Sequence, residues 1–190
     1  MSRLNPKTGQ SNIYDGWLTL NMLRVVKRLA WISLGAMVAL GLALLATKPP
    51  TSPLLLASLG GSTIFLFGLT GAPAAQPRAL FGGHLISALI GIICYQLFDD
   101  ALWVYLLAEV ITLAVLLLTQ TVHPPAGANP LIMIQAHAGF GHLIAVVLVG
   151  VTILAIVAAV WSRLTPGKTL HYPVRWNEPS PPSKDWSVWG

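Results

Sequence analysis

Charged residues are scarce in this sequence. Asp, Glu, Lys and Arg together make up 9% of the 190 residues, whereas hydrophobic residues make up 55%. The mean hydropathy is +0.71. This composition is that of an integral membrane protein and excludes an ordinary soluble domain.

Cysteine is almost absent, since Cys94 is the only one in the chain. A single cysteine excludes an intrachain disulfide and any multi-cysteine metal site. The sequence also lacks a recognisable nucleophile and base pair, and it lacks the H-E-x-x-H pattern of zinc proteases. We therefore predict a protein that is not an enzyme and has neither a cofactor nor a metal.

A cleavable signal peptide is not evident in the first 28 residues, so the first apolar segment is expected to remain as a helix. The net charge of +5 comes from cations that flank apolar segments, which indicates membrane topology and not nucleic-acid binding. The basic cluster Arg24, Lys27 and Arg28 places the N-terminus in the cytoplasm by the positive-inside rule. The expected location is a bacterial-type plasma (inner) membrane.

Long runs without charge are what the sequence does contain, and a membrane-spanning helix needs about 20 such residues. The hydropathy pattern predicts apolar segments at Leu29–Thr47, Leu54–Leu69, Ala79–Phe98, Ala101–Thr119, Leu131–Gln135 and His142–Trp161. The fold class is therefore an all-α membrane protein with four to six transmembrane segments. Residues 1–28 form a cytoplasmic segment, residues 29–162 the membrane domain, and residues 163–190 a tail rich in Pro and Trp that is extended and interfacial, or disordered.

Two patterns recur in the same order along the chain. "KPPTSPLLLASL" at 48–59 is similar to "HPPAGANPLIMI" at 123–134, and "GHLISALIG" at 83–91 is similar to "GHLIAVVLVG" at 141–150. The chain therefore reads as two copies of a three-element unit, repeat 1 at about 29–98 and repeat 2 at about 101–162. Three crossings per unit would invert the second copy. If the Pro-Pro segments are instead re-entrant, there are four crossings, and both termini are cytoplasmic in either case.

Each Pro-Pro pair precedes an apolar segment that is shorter than a full span. Interrupted backbone at membrane depth must be buried in protein or line a wet cavity, because unpaired amides and carbonyls facing lipid cost several kcal/mol each. The two interruptions therefore predict broken or half-length helices around a polar pathway at the repeat interface.

The run "HPPAGANP" at 123–130, together with "GAPAAQPR" at 71–78 and the "GGH" that follows it, resembles the HPP family of integral membrane proteins. The resemblance covers about Leu29 to Arg163. It implies a transporter or channel for nitrite or a similar small monovalent anion. Asn129 departs from the small apolar residue expected at its position.

His123 and Arg78 are the leading residues of this pathway. An imidazole can hydrogen-bond an anion or carry its proton, although His123 also suits a helix end that caps carbonyls. A guanidinium can bind an anion through two hydrogen bonds, although Arg78 also suits a topology anchor. The remaining predicted pathway residues are Pro124, Pro125, Asn129, Gln76, Ser58, Ser62 and Thr63.

Three residues are candidates for proton coupling. Glu109 lies in the middle of an apolar helix, where a carboxyl group is either protonated or paired; a structural bond to another helix is its alternative role. His84 and His142 open the "GHLI" segments of the two repeats, and the alternative for both is a histidine that is satisfied at a helix start.

Other functions remain open at this point. Half-helices with few charges also suit a pore for a small neutral solute or gas, and a membrane assembly subunit without transport activity is a further alternative. The expected partners are the lipid bilayer, a small inorganic anion and further copies of the chain in a homo-oligomer.

Overall fold

The computed structural model describes residues 13–47, 57–165 and 170–184, with side chains from residue 22 onward. Within these ranges every regular element is a helix and no β-strand forms, which confirms the predicted all-α fold class. The chain divides into two compact units, Met1–Leu34 and Gly35–Gly190. The features below belong to the second unit unless the first helix is named.

Seven α-helices are described, and π-helical turns or 3-10 helices extend several of them. The α-helices are α1 (Ile13–Thr47), α2 (Ala57–Thr63), α3 (Pro77–Phe98), α4 (Leu102–Thr119), α5 (Asn129–Gln135), α6 (Phe140–His142) and α7 (Val149–Leu164). The π-helical turns are Ile64–Gly68 after α2 and Leu143–Leu148 between α6 and α7, and the 3-10 helices are Pro73–Ala75 and Pro124–Ala128.

Four helical stretches are long and apolar enough to cross a membrane. They are Met22–Thr47, Pro77–Phe98, Leu102–Thr119 and Phe140–Leu164. A shorter apolar helix occupies Ala57–Gly68. The chain is therefore a multi-pass membrane protein, and two short helical segments, Ala57–Gly68 and α5, lie between its long helices.

The first helix starts earlier than the hydropathy pattern predicts. The predicted start was Leu29, but α1 begins at Ile13 and includes Arg24, Lys27 and Arg28. Arg and Lys are good helix formers, so a helix continues through them once it leaves the apolar region. Hydropathy marks where a helix is apolar, not where it begins.

Helices α3, α4 and α5 share a core built from Cys94, Val104, Ala108 and Ile134. The opposite side of α4 is apolar and exposed, and Leu102, Leu106 and Val110 are among its most exposed side chains. An apolar face that is not covered by protein is what a lipid-facing helix presents.

The chain makes a return passage between α4 and α6. Helix α4 has 18 residues, so it carries the chain about 27 Å away from Asp100. His137 is nevertheless back beside Asp100, with 3.1 Å between His137 Nε2 and Asp100 Oδ2, and its ring stacks on Tyr95 at 5.0 Å between centroids. The second Pro-Pro segment therefore runs from one end of α3 to the other, which favours a crossing over a re-entrant loop.

Two glycines of α3 allow this passage to lie directly against the helix. A Cβ atom built on Gly83 would be 2.9 Å from both the Cβ of His123 and the carbonyl oxygen of Thr121. One built on Gly91 would be 2.6 Å from the backbone of Pro130. A side chain at either position would push the interrupted segment away from α3.

Residues 170–184 pack on the membrane domain, and we call them the C-terminal strap. Tyr172 is 1% exposed, and its N–H donates to Ser162 Oγ at the end of α7. Further along, Ser180 forms a parallel bridge with Thr121. The disordered alternative predicted for the tail is therefore wrong for the strap, because its backbone finds partners on the helix ends.

The first Pro-Pro pair, Pro49-Pro50, lies outside the described residues, as does much of the segment that resembles the second. The structure therefore describes the return passage of repeat 2, and the inverted arrangement of the two repeats stays a prediction.

Candidate functional site

Four polar side chains meet in the interior of the helical domain. Ser62 comes from α2, His84 from α3, His123 from the turn before the second Pro-Pro pair, and Asn129 from the start of α5. Ser62, His84 and His123 are fully buried, and Asn129 is 1% exposed. We call this group the polar centre.

Local sequence explains why His123 points inward. Its backbone is extended (φ −125°, ψ 102°) because Pro124 follows and disfavours the helical region for the preceding residue. Pro124 then opens a 3-10 helix, where its missing N–H leaves no donor unpaired. Pro125 packs against Gly61, since a Cβ built there would be 3.0 Å from the Pro125 Cβ.

Hydrogen bonds join the four side chains into one chain. Ser62 Oγ lies 2.8 Å from His84 Nε2 and 2.8 Å from His123 Nε2. Asn129 Nδ2 lies 2.9 Å from His84 Nδ1, and His123 Nδ1 lies 2.6 Å from the carbonyl oxygen of Ala74. The fold therefore brings together one residue from the first interrupted segment, two from the second and one from a long helix.

The carbonyl of Ala74 fixes the proton on His123. A carbonyl oxygen accepts hydrogen bonds and never donates them, so His123 Nδ1 must carry a hydrogen and donate. In the neutral ring Nε2 is then an acceptor that faces Ser62.

Asn129 fixes the opposite tautomer on His84. Its Nδ2 atom donates both to the His84 carbonyl oxygen, at 3.1 Å, and to His84 Nδ1. The His84 carbonyl oxygen can only accept, which identifies Nδ2 as the amino group of the amide. Because an amino group donates, the facing His84 Nδ1 carries no hydrogen. The hydrogen of the neutral ring is therefore on Nε2, from which it is donated to Ser62.

Ser62 connects the two rings. Its hydroxyl has one hydrogen and three neighbours: the two imidazole nitrogens and the carbonyl oxygen of Ser58 at 2.8 Å. Because His84 donates to it, Ser62 has its own hydrogen available for either His123 Nε2 or Ser58 O. The chain of donors runs from Asn129 through His84 and Ser62 to His123.

The remaining predicted pathway residues lie around this centre in different roles. The backbone carbonyl of Ser58 accepts from Ser62, while Thr63 Oγ1 donates back to the Gly60 carbonyl at 2.7 Å. The Phe65 ring meets the His123 ring edge-on at 5.3 Å between centroids. The His84 and His123 rings are 5.1 Å apart.

Gln76 and Arg78 hold the strap and the helix ends. The Gln76 amino group donates to the carbonyls of Thr70 and Ala72, and its Oε1 accepts from the N–H groups of Val174 and Arg175. Arg78 donates to the Thr119 carbonyl at 2.8 Å and to Asn177 Oδ1 at 3.4 Å. Both residues lie at the strap end of α3, outside the polar centre.

Glu109 comes near the interrupted segment because the chain folds back. A Cβ built on Gly127 would be 3.7 Å from Glu109 Oε1. Within the described residues, Glu109 Oε2 and Thr112 Oγ1 are buried without a hydrogen-bond partner. None of the hydrogen bonds of the polar centre includes this carboxyl group.

His142 differs from its repeat counterpart His84. Its Nδ1 accepts from the Gly139 N–H at 3.3 Å, which is the role of a histidine at a helix start. Among the described residues there is no group of three or more His, Cys, Asp and Glu that could hold a metal ion.

Sequence reasoning missed two features of this region. The Ala74 carbonyl orients His123, and its signal was the Pro-flanked "GAPAAQPR" segment, where the backbone leaves the helix. The strap also contacts the residue beside His123, since the Val122 N–H donates to the Ser180 carbonyl at 2.8 Å. No sequence motif predicts this contact.

Comparison with known proteins identifies the family. Residues 23–173 match the family described as HPP, transmembrane region. Two transmembrane proteins of Dictyostelium discoideum are similar to the chain. One is 30% identical over 130 residues, which are 64% of this chain and 45% of that protein. The other is 29% identical over 157 residues, 77% of this chain and 50% of that protein.

The chain thus spans about half the length of the curated relatives it matches. No solved structure shows a significant match. The family match extends from α1 through the polar centre to the start of the strap. The chain therefore belongs to the HPP family of transmembrane proteins.

Proposed function

We propose that this protein is a membrane transporter or channel for a small monovalent anion, with nitrite as the substrate that the family resemblance implies. The observation that carries the proposal is the polar centre itself. Two imidazoles, a hydroxyl and an amide are fully or almost fully buried in an apolar membrane domain. Polar groups at such depth are costly and characteristically mark a pathway for ions or protons.

The donors of the centre suit a small oxyanion. The Asn129 amide, His84 Nε2–H and the Ser62 hydroxyl each donate to the next member of the hydrogen-bonded chain across 2.8–2.9 Å contacts. An anion that enters between them can accept the same hydrogen bonds, and such charge-assisted bonds are stronger than those between neutral groups. Because the centre is fully buried, access requires movement of the segments around it.

A neutral solute is the second candidate, because the assigned tautomers leave the centre without formal charge. Purified protein in liposomes should be tested with nitrite, nitrate, formate, chloride, ammonia and urea, with protein-free liposomes as the leak control. Anion-selective flux supports the proposal. Flux of ammonia or urea alone favours a neutral-solute pore, and no flux of any solute contradicts transport.

His123→Asn is the variant that tests the site. The Asn amide keeps a donor near the position of His123 Nδ1, so the bond to Ala74 is conserved, whereas the nitrogen that faces Ser62 is lost. We expect nitrite flux to fall at least about tenfold, the effect of losing one well-placed interaction of about 1.4 kcal/mol or more. Ser87→Ala is the matched control: Ser87 is also fully buried on α3, but its hydroxyl donates to the backbone carbonyls of Gly83 and His84.

A further inference from the structure

The geometry points to His123 as a proton carrier and Ser62 as the switch that accommodates the proton, so that one proton moves with each anion. This inference rests on the proposed transport function and adds its coupling mechanism. The argument uses the hydrogen-bond partners of each ring, which make the two histidines unequal.

His84 is held in its neutral form by its neighbours. Its Nδ1 faces the amino group of Asn129 at 2.9 Å, and the same amino group is anchored on the His84 carbonyl oxygen. A second proton on His84 would set an N–H against the N–H of the amide. Protonation of His84 is therefore opposed by the orientation of Asn129.

His123 has no such obstacle. Its Nδ1–H already donates to the Ala74 carbonyl, and its Nε2 faces a hydroxyl, which can accept as well as donate. When a proton binds Nε2, that atom becomes a donor to Ser62 Oγ. The Ser62 hydrogen then turns from His123 to the Ser58 carbonyl oxygen, which is also 2.8 Å away.

Both protonation states are therefore fully hydrogen-bonded. In the neutral state Ser62 accepts from His84 and donates to His123. In the protonated state Ser62 accepts from both rings, which uses its two lone pairs, and donates to Ser58. The only motion between the states is rotation of one hydroxyl, so no buried polar group loses its partner during the exchange.

Other titratable groups near His123 do not provide an alternative partner. By sequence, α2 and α5 contain no titratable side chain. Helix α3 contributes His84, and α4 contributes Glu109, whose carboxyl group takes part in none of the hydrogen bonds of the polar centre. The strap reaches the neighbouring Val122 through Ser180, whose Oγ donates to the Val122 carbonyl at 2.7 Å.

The transported unit is one proton, held on His123 as an imidazolium, together with one bound monovalent anion. Its net charge is zero, which reduces the cost of charge inside the membrane. The proton enters on His123 Nε2 from the side where the anion enters, and both leave on the other side, so protons and charge balance over a cycle. Transport should accordingly be driven by a pH gradient and be insensitive to membrane potential.

Nitrite uptake into liposomes, recorded together with internal pH, tests the coupling. The leak of nitrous acid is measured in protein-free vesicles and subtracted. We then expect one proton per nitrite and the same flux with and without a potassium diffusion potential. Ser62→Ala should lower the proton-to-nitrite ratio from one toward zero and the flux at least about tenfold, while Ser87→Ala should retain both.

The outcomes separate the two proposals. Nitrite flux without protons, or flux driven by membrane potential, overturns the coupling and leaves the transport function standing. Full coupling in Ser62→Ala also overturns the coupling mechanism. Loss of coupling in Glu109→Gln with flux retained overturns it too, because the proton carrier would then be Glu109. Absence of any nitrite flux in the wild-type protein overturns the transport function and the coupling with it.

A measurement that does not depend on flux tests the switch directly. Nitrogen NMR of the histidine rings should identify the Nε2–H tautomer for His84 and the Nδ1–H tautomer for His123, each assigned through its single-site variant. On acidification, His123 should gain its second proton before His84. In Ser62→Ala, protonation of His123 should require a lower pH than in the wild type. The reverse order of protonation, or no effect of Ser62→Ala, contradicts the inference.

Discussion

Asn129 illustrates how one side chain determines the chemistry of another. It departs from the small apolar residue expected in the HPP pattern, and the structure places its amide on His84 Nδ1 and on the His84 carbonyl. An apolar residue there would leave His84 free to adopt either tautomer. The direction of the donor chain through Ser62 therefore depends on this one substitution.

Asp100 and His137 form a second polar contact, at the end of α3 away from the strap. The hydrogen bond from His137 lowers the pKa of the Asp100 carboxyl group below its ordinary value, and a hydrogen bond from Tyr105 acts in the same direction. The folded state therefore favours the ionised carboxylate more than the unfolded state does. A contribution of this sign is present at neutral pH and is lost as the pH falls through the folded-state pKa.

Asp100→Asn tests that contact. We expect the detergent-solubilised variant to melt at a lower temperature than the wild type at pH 7. Below the ordinary Asp pKa of about 3.9, the difference should shrink, because the wild-type carboxyl group becomes protonated as well. A difference in melting temperature that is constant from pH 7 to pH 3 would contradict the role of the ionised carboxylate.

At the scale of elements, the strap is the feature that connects the most segments. It begins on α7 through Tyr172 and Ser162, crosses Gln76 at the start of α3, and ends on the backbone of Gln120 and Val122. Burial raises the pKa of the Tyr172 hydroxyl. The strap therefore covers the ends of the same two interrupted segments that supply Ala74 and His123 to the polar centre.

The close contact between α3 and α5 depends on glycine at position 91, which has no side chain. Gly91→Ala would place a Cβ 2.6 Å from the Cα and carbonyl oxygen of Pro130, and backbone atoms cannot turn aside as a flexible side chain can. We expect a loss of about 1–3 kcal/mol in stability, typical of overpacking, and displacement of α5 together with Asn129. Thermal unfolding in detergent and the flux assay measure the two effects.

Gly41→Ala is the control for that variant. Gly41 lies within α1, and an added Cβ meets nothing within 4 Å among the described residues. Replacing a helical glycine by alanine in open space should be neutral or stabilising by roughly 0.5–1 kcal/mol. If Gly91→Ala behaves like Gly41→Ala, the close approach of α3 and α5 is not a constraint on the fold.

At the scale of the whole molecule, hydropathy was sufficient to locate the long helices, but it predicted neither the start of α1 nor the contacts that join the helices. The predicted segment Ala101–Thr119 differs from α4 by one residue, because apolar length and the following break determine both. The link between Ser62 and His84 could not be predicted, since it depends on which faces of α2 and α3 meet. His123 and Asn129 were predicted from the Pro-Pro motif, but their partners depend on long-range packing that no local pattern encodes.

The location of the strap indicates the topology of the membrane domain. Arg78 at the start of α3 contacts Asn177 of the strap, and the 22 residues of α3 carry the chain about 33 Å to Asp99. That distance exceeds the hydrocarbon core of about 30 Å, so we expect Asp99 and Asn177 at opposite membrane faces. Arg78, Arg163 and Arg175 all lie at the strap end, and the positive-inside rule predicts that this face is cytoplasmic.

Labelling of single introduced cysteines measures which membrane face each position occupies. Cys94→Ala first removes the only native thiol. In that background, cysteine at the exposed position 99 should react with a membrane-impermeant maleimide added to intact cells. Cysteine at position 177 should react only after the membrane is opened. The re-entrant arrangement with four crossings instead puts both positions in the cytoplasm. Position 99 would then be protected in intact cells, and both positions would be labelled after lysis. That result would contradict the return passage through the second Pro-Pro segment.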